Sequence, residues 1–222
     1  MFLLSFNQYR RWGLLALVIV LLAGGSHWMD QEDQRIQDQL TLFGQENAMR
    51  IERNEHLRYI NDLALEFSMD PAIVVLVDRY SREYLKEGGL EWRLVRNPEF
   101  MSYIMLSLIY VESKGNTHAV GDGGRARGLT QIWVSTAQDY GEVTAEALHS
   151  PETNISFAFK HFHQLLKKYQ GNFALTLYAW NRGSRKVDRL LAYGESPGNG
   201  YARKVYEAAL VNNRDRLLVG TP

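Results

Sequence analysis

No cysteine occurs among the 222 residues. Disulfide scaffolds, cysteine nucleophiles, thiolate zinc sites, iron–sulfur clusters and a lipid-modified cysteine anchor are all excluded on that ground. An excess of charge of one sign is missing too, since 25 basic and 25 acidic side chains leave a formal net charge of zero. That balance argues against broad electrostatic binding of nucleic acid, though it leaves a local basic patch open. Alternating apolar–polar runs and internal repeats are absent, which removes sheet-rich and solenoid architectures. Proline is scarce, and Pro71, Pro98 and Pro151 each directly follow Asp, Asn or Ser, the pattern of a capped helix start. What remains is an ordinary globular composition, 45% hydrophobic and 23% charged. It rules out wholesale disorder and allows one good-sized domain with an appendage.

One apolar run stands apart. Trp12 to Gly25 reads WGLLALVIVLLAGG, with Arg10 and Arg11 before it and Asp30, Glu32 and Asp33 after it. Basic flanks stay on the cytoplasmic side, so residues 1–29 are expected to form a single-pass inner-membrane anchor that exports residues 30–222. As a helix reaching Trp28 it would span about 25 Å at 1.5 Å per residue. That is slightly short of a hydrocarbon core of roughly 30 Å. Trp12 and Trp28 would sit at the two interfaces. The competing reading is a cleaved signal peptide processed at Ala23-Gly24-Gly25-Ser26. In both cases the rest of the chain belongs in the periplasm or outside the cell.

Residues 30–58 are rich in Gln, Glu, Asp and Arg, with a thin apolar stripe at Ile36, Leu40 and Phe43. This spacing predicts a polar helix with one narrow sticky face, a stalk or arm able to meet a protein partner. A second helix is expected from about His56 to Phe67, and a third from Pro71 to the Gly88-Gly89 stop. Residues 30–89 thus read as stalk and packing helices. The next helix runs from Pro98 until Gly115, followed by the loop AVGDGGRARG, which ends at Gly128. Ser150-Pro151-Glu152 opens a helix ending near Gly171. Short helices lie between Asn172, Gly183, Gly194 and Gly200, and a last one covers about Tyr201 to Asn213. The expected fold is all-α, with a small irregular or hairpin segment around residues 117–133. Residues 90–215 form its body and 216–222 a tail.

Glu112 is the residue singled out by physics. On the 98–114 helix it shares a face with Met101, Met105, Leu108 and Ile109, the face the helix should bury. Lost water raises a carboxyl's pKa, and the negative end of the helix dipole opposes ionisation in the last turn. A carboxyl that holds its proton is what a general acid near neutral pH requires. Glu99, in the first turn, has the favourable dipole position and needs no special account. GDGGRARG lacks the Gly-Lys-Ser/Thr ending of a phosphate loop. His161 and His163 stand two apart on a helix and face different ways, which speaks against a metal pair. No metal or organic cofactor is expected.

Around Glu112-Ser113 the text takes on a recognisable order. Gly128-Leu129-Thr130-Gln131 follows the glycine loop, then Asn154-Ile155, then Ala179-Trp180-Asn181-Arg182-Gly183, then Tyr201-Ala202-Arg203-Lys204-Val205. This resembles the lytic transglycosylase domain of the soluble lytic transglycosylase type, a relative of goose-type lysozyme. That family shows Glu-Ser, Gly-Leu-Met-Gln, an Asn-Ile segment, Ala-Tyr-Asn-x-Gly and a tyrosine before a terminal helix. The resemblance covers about residues 90–213.

The resemblance implies a lysozyme-like helical fold and peptidoglycan glycan strands as substrate, with no cofactor. Glu112 would be the sole acid/base, cleaving between N-acetylmuramic acid and N-acetylglucosamine and closing a 1,6-anhydro ring. Ser113 would orient the site, Gly128 would let the backbone approach closely, and Gln131 would hydrogen-bond the sugar. Asn154, Tyr178, Trp180, Asn181 and Tyr201 are the further substrate-binding candidates. Core packing is the simpler reading of the three aromatics when the motif is set aside. Thr130 replaces the usual Met, expected on the cleft floor, and Trp180 replaces the usual Tyr, leaving a donor that cannot accept. The rival chemistry is hydrolysis with Asp122 as second carboxylate, as in goose-type lysozymes. The position two after Gln131, where those lysozymes carry another acid, is Trp133. Arg125 and Arg127 could meet muramyl-peptide carboxylates or simply be solvated. A third reading is a tethered peptidoglycan-binding scaffold without rapid cleavage.

Overall fold

The computed structural model describes residues 31–87 and 98–211. The apolar run at 12–28 lies outside these residues, as do the Gly88-Gly89 stop and the tail from 212. Among the described residues no helix is long and apolar enough to cross a membrane. Eight α-helices carry the fold there: α1 Gln31–Phe67, α2 Pro71–Glu87, α3 Pro98–Ser113, α4 Val134–Gln138, α5 Pro151–Lys168, α6 Phe173–Arg182, α7 Ser184–Ala192 and α8 Tyr201–Val211. The expected break before His56 does not occur. No proline interrupts residues 31–67, and the lone glycine, Gly44, costs only about 1 kcal/mol in a helix, so one helix runs through.

The chain divides into two compact units, Met1–Arg58 and Tyr59–Pro222. In the described part of the first unit the side chains are mostly exposed, including Leu40 and Phe43 of the expected stripe. In the second, the packing helices share one core with the expected body. Leu63 and Phe67 from α1, Val74 and Val77 from α2, and Ile155, Phe159 and Phe162 from α5 close around α3.

Helix α3 is the axis of that core. Met101, Met105, Leu108 and Ile109 are buried as their spacing predicts, but so are Ser102, Ile104, Leu106 and Ser107. Burial on nearly every side, rather than on one face, reflects a helix that is apolar all round. α2 and α8 pack against it directly. Truncating Met105 or Leu108 to alanine should cost about 2–5 kcal/mol.

The 117–133 segment is a small three-stranded antiparallel sheet in the order β1-β2-β3, with β1 Val120–Gly121, β2 Ala126–Arg127 and β3 Ile132–Trp133. A 3₁₀ turn at Asp122–Gly124 joins the first two strands. The register pairs Val120 with Arg127, and Ala126 with Trp133.

Candidate active site

Glu112 lies in the final turn of α3, half-buried, and is approached from two other helices. Tyr201, the first residue of α8, donates its hydroxyl to Glu112 Oε1 at 2.5 Å. The Trp180 indole of α6 lies near enough to the carboxyl to favour its charged form. Burial pushes the Glu112 pKa up; Tyr201 and Trp180 pull the other way, and the nearby Asp122 charge adds to the rise. Desolvation is the dominant cause, as the sequence pattern anticipates. The Tyr201 hydroxyl is held well above its ordinary range by burial and by the facing carboxyl, so it stays a donor.

Trp180 is wedged among other rings, with His161 at 5.3 Å and Phe162 at 6.2 Å between centroids. His161 in turn meets the Tyr140 hydroxyl at 3.0 Å, and burial lowers its pKa to about 4. A neutral imidazole therefore backs the indole across the neutral range. His163 faces elsewhere, its ring edge-on to Tyr84 at 5.1 Å.

The glycine loop is built from inside. Asn154, wholly buried on α5, accepts from the Thr130 N–H at 3.0 Å and the Thr130 hydroxyl at 2.8 Å. Its Nδ2 donates to the Arg127 and Leu148 carbonyls, each at 2.9 Å. Every hydrogen-bonding position of this carboxamide is used within the protein. Asn154, expected on the sugar, instead pins the loop to α5. Thr130, expected on the cleft floor, is buried against Asn154, where the hydroxyl is needed for that bond.

Gly128 is required for the same reason. Its φ is 69°, and a Cβ there would stand 2.3 Å from the Leu148 carbonyl oxygen and 2.4 Å from Asn154 Nδ2. The close approach is therefore to the protein's own chain. Gln131, at φ 49°, folds its Nε2 onto the Gly128 carbonyl at 3.0 Å. Its Oε1 occupies the place where a Cβ on Gly121 would be. It is half-buried and braces the hairpin. The Ser113 hydroxyl turns back to the Ile109 carbonyl at 3.3 Å rather than to its neighbour's carboxyl.

Asp122 and Trp133 meet on the hairpin. The Trp133 indole donates to Asp122 Oδ2 at 2.7 Å, and the Arg125 guanidinium lies over the Trp133 ring, 4.5 Å from its centroid. Trp133 replaces an acid in the lysozyme pattern, and the sequence offered no sign that its indole would hold Asp122. Tyr178 is half-buried, packed on the core and against Gly198. Asn181 is exposed and accepts from Asn199 at 2.7 Å. Asn199 was not apparent from the motifs; its only trace is an Asn two residues before the first residue of a helix.

The structure thus joins a helical body, a half-buried acid flanked by Tyr201 and Trp180, and a short hairpin, consistent with an all-α lysozyme-like fold. Residues 94–200 match the family model described as the Transglycosylase SLT domain. Over those residues the chain carries this domain, whose family members are peptidoglycan lytic transglycosylases, enzymes that cleave glycan strands. The matched stretch contains Glu112, the hairpin, Asn154 and Trp180, and stops one residue short of Tyr201.

Proposed function

We propose that Glu112 is the single general acid and base of a non-hydrolytic cleavage of the bond from N-acetylmuramic acid to N-acetylglucosamine. Protonated at rest, it donates its proton to the glycosidic oxygen as the bond from that oxygen to the muramic anomeric carbon breaks. Positive charge grows at that carbon and is shared by the substrate's own acetamido group. The C6 hydroxyl oxygen then bonds to the anomeric carbon, and its proton passes to the Glu112 carboxylate. The products are a free N-acetylglucosamine end and a 1,6-anhydro ring. Glu112 ends protonated as it began, now by the proton from the C6 hydroxyl, and no water is consumed.

The observation that carries this reading is the environment of Glu112. Burial favours the protonated carboxyl, while the Tyr201 hydroxyl and the Trp180 indole favour the carboxylate formed on proton transfer. Opposed effects of this kind let one carboxyl serve in turn as proton donor and proton acceptor.

Asp122 supports a second reading, hydrolysis. Its charge is felt at Glu112, and the Trp133 indole fixes its carboxylate, as a water-positioning group would require. The choice between the readings follows from product mass. The full chain, purified in detergent, is incubated with bacterial sacculi, and released muropeptides are weighed beside those from Glu112→Gln. Anhydro products, one water lighter and absent from the variant, are expected. Reducing-end products would promote Asp122 and the hydrolytic reading; no release with binding retained would favour a scaffold.

The apolar run between Arg11 and Asp30 supports a single-pass anchor in the inner membrane with the catalytic domain in the periplasm. Residues 31–58 of α1 would then be a stalk, with Leu40 and Phe43 available to a protein partner. Carbonate extraction of membranes, with gel mobility compared with a version lacking residues 1–29, separates an anchor from a cleaved leader.

A further inference from the structure

Trp180 faces Glu112, whereas the two residues after it are tied to a different segment. Residues 193–200, between α7 and α8, are fastened to the end of α6 at adjacent positions. Arg182 Nη1 donates to the Pro197 carbonyl at 2.9 Å, and Asn199 Nδ2 donates to Asn181 Oδ1 at 2.7 Å. The other end of the Asn199 carboxamide accepts the Tyr201 backbone N–H at 3.2 Å. Tyr201 then reaches Glu112. A continuous line of contacts runs from Asn181 through Asn199 and Tyr201 to the acid.

The chemistry of a carboxamide suits this place. Its donor end takes a carboxamide oxygen on α6, and its acceptor end takes one of the N–H groups that a helix start leaves without an internal partner. Asn199 also stands between Gly198 and Gly200, and Gly200 sits at φ 78°. Glycine neighbours leave the backbone free to choose among conformations, so the side chain supplies the local constraint. A hydroxyl held at 2.5 Å from its acceptor tolerates little drift at the helix that carries it.

We propose that Asn199 is a positioning residue for cleavage: anchored on Asn181, it fixes the entry of Tyr201 into α8 and so keeps the tyrosine hydroxyl on Glu112. It touches neither glycan nor acid. The role assigned to Asn181 changes with it, from sugar contact to anchor. This inference rests on Glu112 being the acid proposed above.

The test compares Asn199→Ala, Asn199→Asp, Tyr201→Phe and the Asn199→Ala/Tyr201→Phe pair in the full chain. Two readouts are used, the pH–rate profile of glycan cleavage and the titration of Glu112 by carboxyl-carbon NMR. The groups facing Glu112 are Tyr201 from α8, the Trp180 indole from α6 and Asp122 from the hairpin turn, and only the first is disturbed. Asn199→Ala should lower kcat about tenfold with KM little changed. It should also move the basic limb, and the NMR titration, upward by about half a pH unit, as Tyr201→Phe does. The pair should be no worse than Tyr201→Phe alone. Asn199→Asp, which keeps the acceptor for Tyr201 and loses the donor to Asn181, should fall between wild type and Asn199→Ala.

A fall in kcat with an unmoved Glu112 titration, or multiplicative losses in the pair, would overturn the positioning role. A wild-type chain that releases no muropeptide would instead sink the reading of Glu112 as acid. The NMR titration would still decide, without turnover, whether Asn199 holds Tyr201 in place.

Discussion

Asn154 and Glu112 are both polar side chains in the interior of one helical body, and they have been treated in opposite ways. Asn154 is 0% exposed and makes four hydrogen bonds, two accepted and two donated. Nothing is left over. Glu112 is only half-buried, and burial raises its pKa against the pull of Tyr201 and Trp180. A satisfied buried network adds rigidity. A desolvated acid costs stability and holds a proton in return. Both residues belong to the same family motif set, so motif membership alone does not separate a side chain that builds the loop from one proposed to react.

The comparison can be broken most severely at the acid. Glu112→Gln should reduce release of anhydro muropeptides by about a hundredfold or more, since general acid–base catalysis is typically worth that much. The same substitution should leave sacculus binding in place, which a pull-down checks. It should also raise the melting temperature. The Glu112 pKa is raised on folding, so the stability linked to its proton is present in acid and lost as pH rises through the folded value. The gain over wild type should therefore be largest on the alkaline side and vanish in acid. A variant that melts lower than wild type at every pH would contradict the assigned desolvation.

Asn154→Ala attacks the other pole. It strands the Thr130 N–H and hydroxyl and the Arg127 and Leu148 carbonyls, at an expected cost of about 3 kcal/mol or more. Gly128→Ala, forced against the Leu148 carbonyl from a positive φ, should cost about 2 kcal/mol. Denaturant melts measure both, and any lost activity should track lost folding. A stable Asn154→Ala protein with a raised KM would return this residue to the sugar.

Smaller effects sharpen the contrast at the acid. Tyr201→Phe should lower kcat about tenfold and shift the basic limb of the pH profile upward, because the lost bond favoured the carboxylate. Trp180→Phe should act in the same direction to a lesser degree, while Trp180→Tyr restores a donor of the family kind. Asp122→Asn should do least: with one negative neighbour gone, the limb moves slightly down, and more so at low salt. Loss of product formation in Asp122→Asn would overturn the single-carboxyl mechanism.

Much of the fold is legible along the chain because its signals are local. Prolines after short polar residues mark the starts of α2, α3 and α5, and the apolar spacing before Glu112 anticipates its desolvation. Continuity of α1 past residue 56 was missed, because polar composition is not itself a helix breaker. The internal bonds of Gln131, Thr130, Ser113 and Asn154 are not legible in the sequence for another reason. A carboxamide or hydroxyl bonds equally well to a sugar or to the protein's own carbonyls, and sequence spacing does not say which partner lies within 3 Å.

What the sequence by itself determined is therefore the helical class, the succession of elements, the family motifs and the one acid whose helix would strip it of water. Those follow from periodicity, caps and residue chemistry, which act over a turn or two of chain. Only the tertiary structure decided that Tyr201, eighty-nine residues away, donates to that acid, that Trp133 holds Asp122, and that Asn154 holds the loop rather than the substrate. Those pairings join distant segments, and hydrogen bonds are set by distances that only the packed core defines.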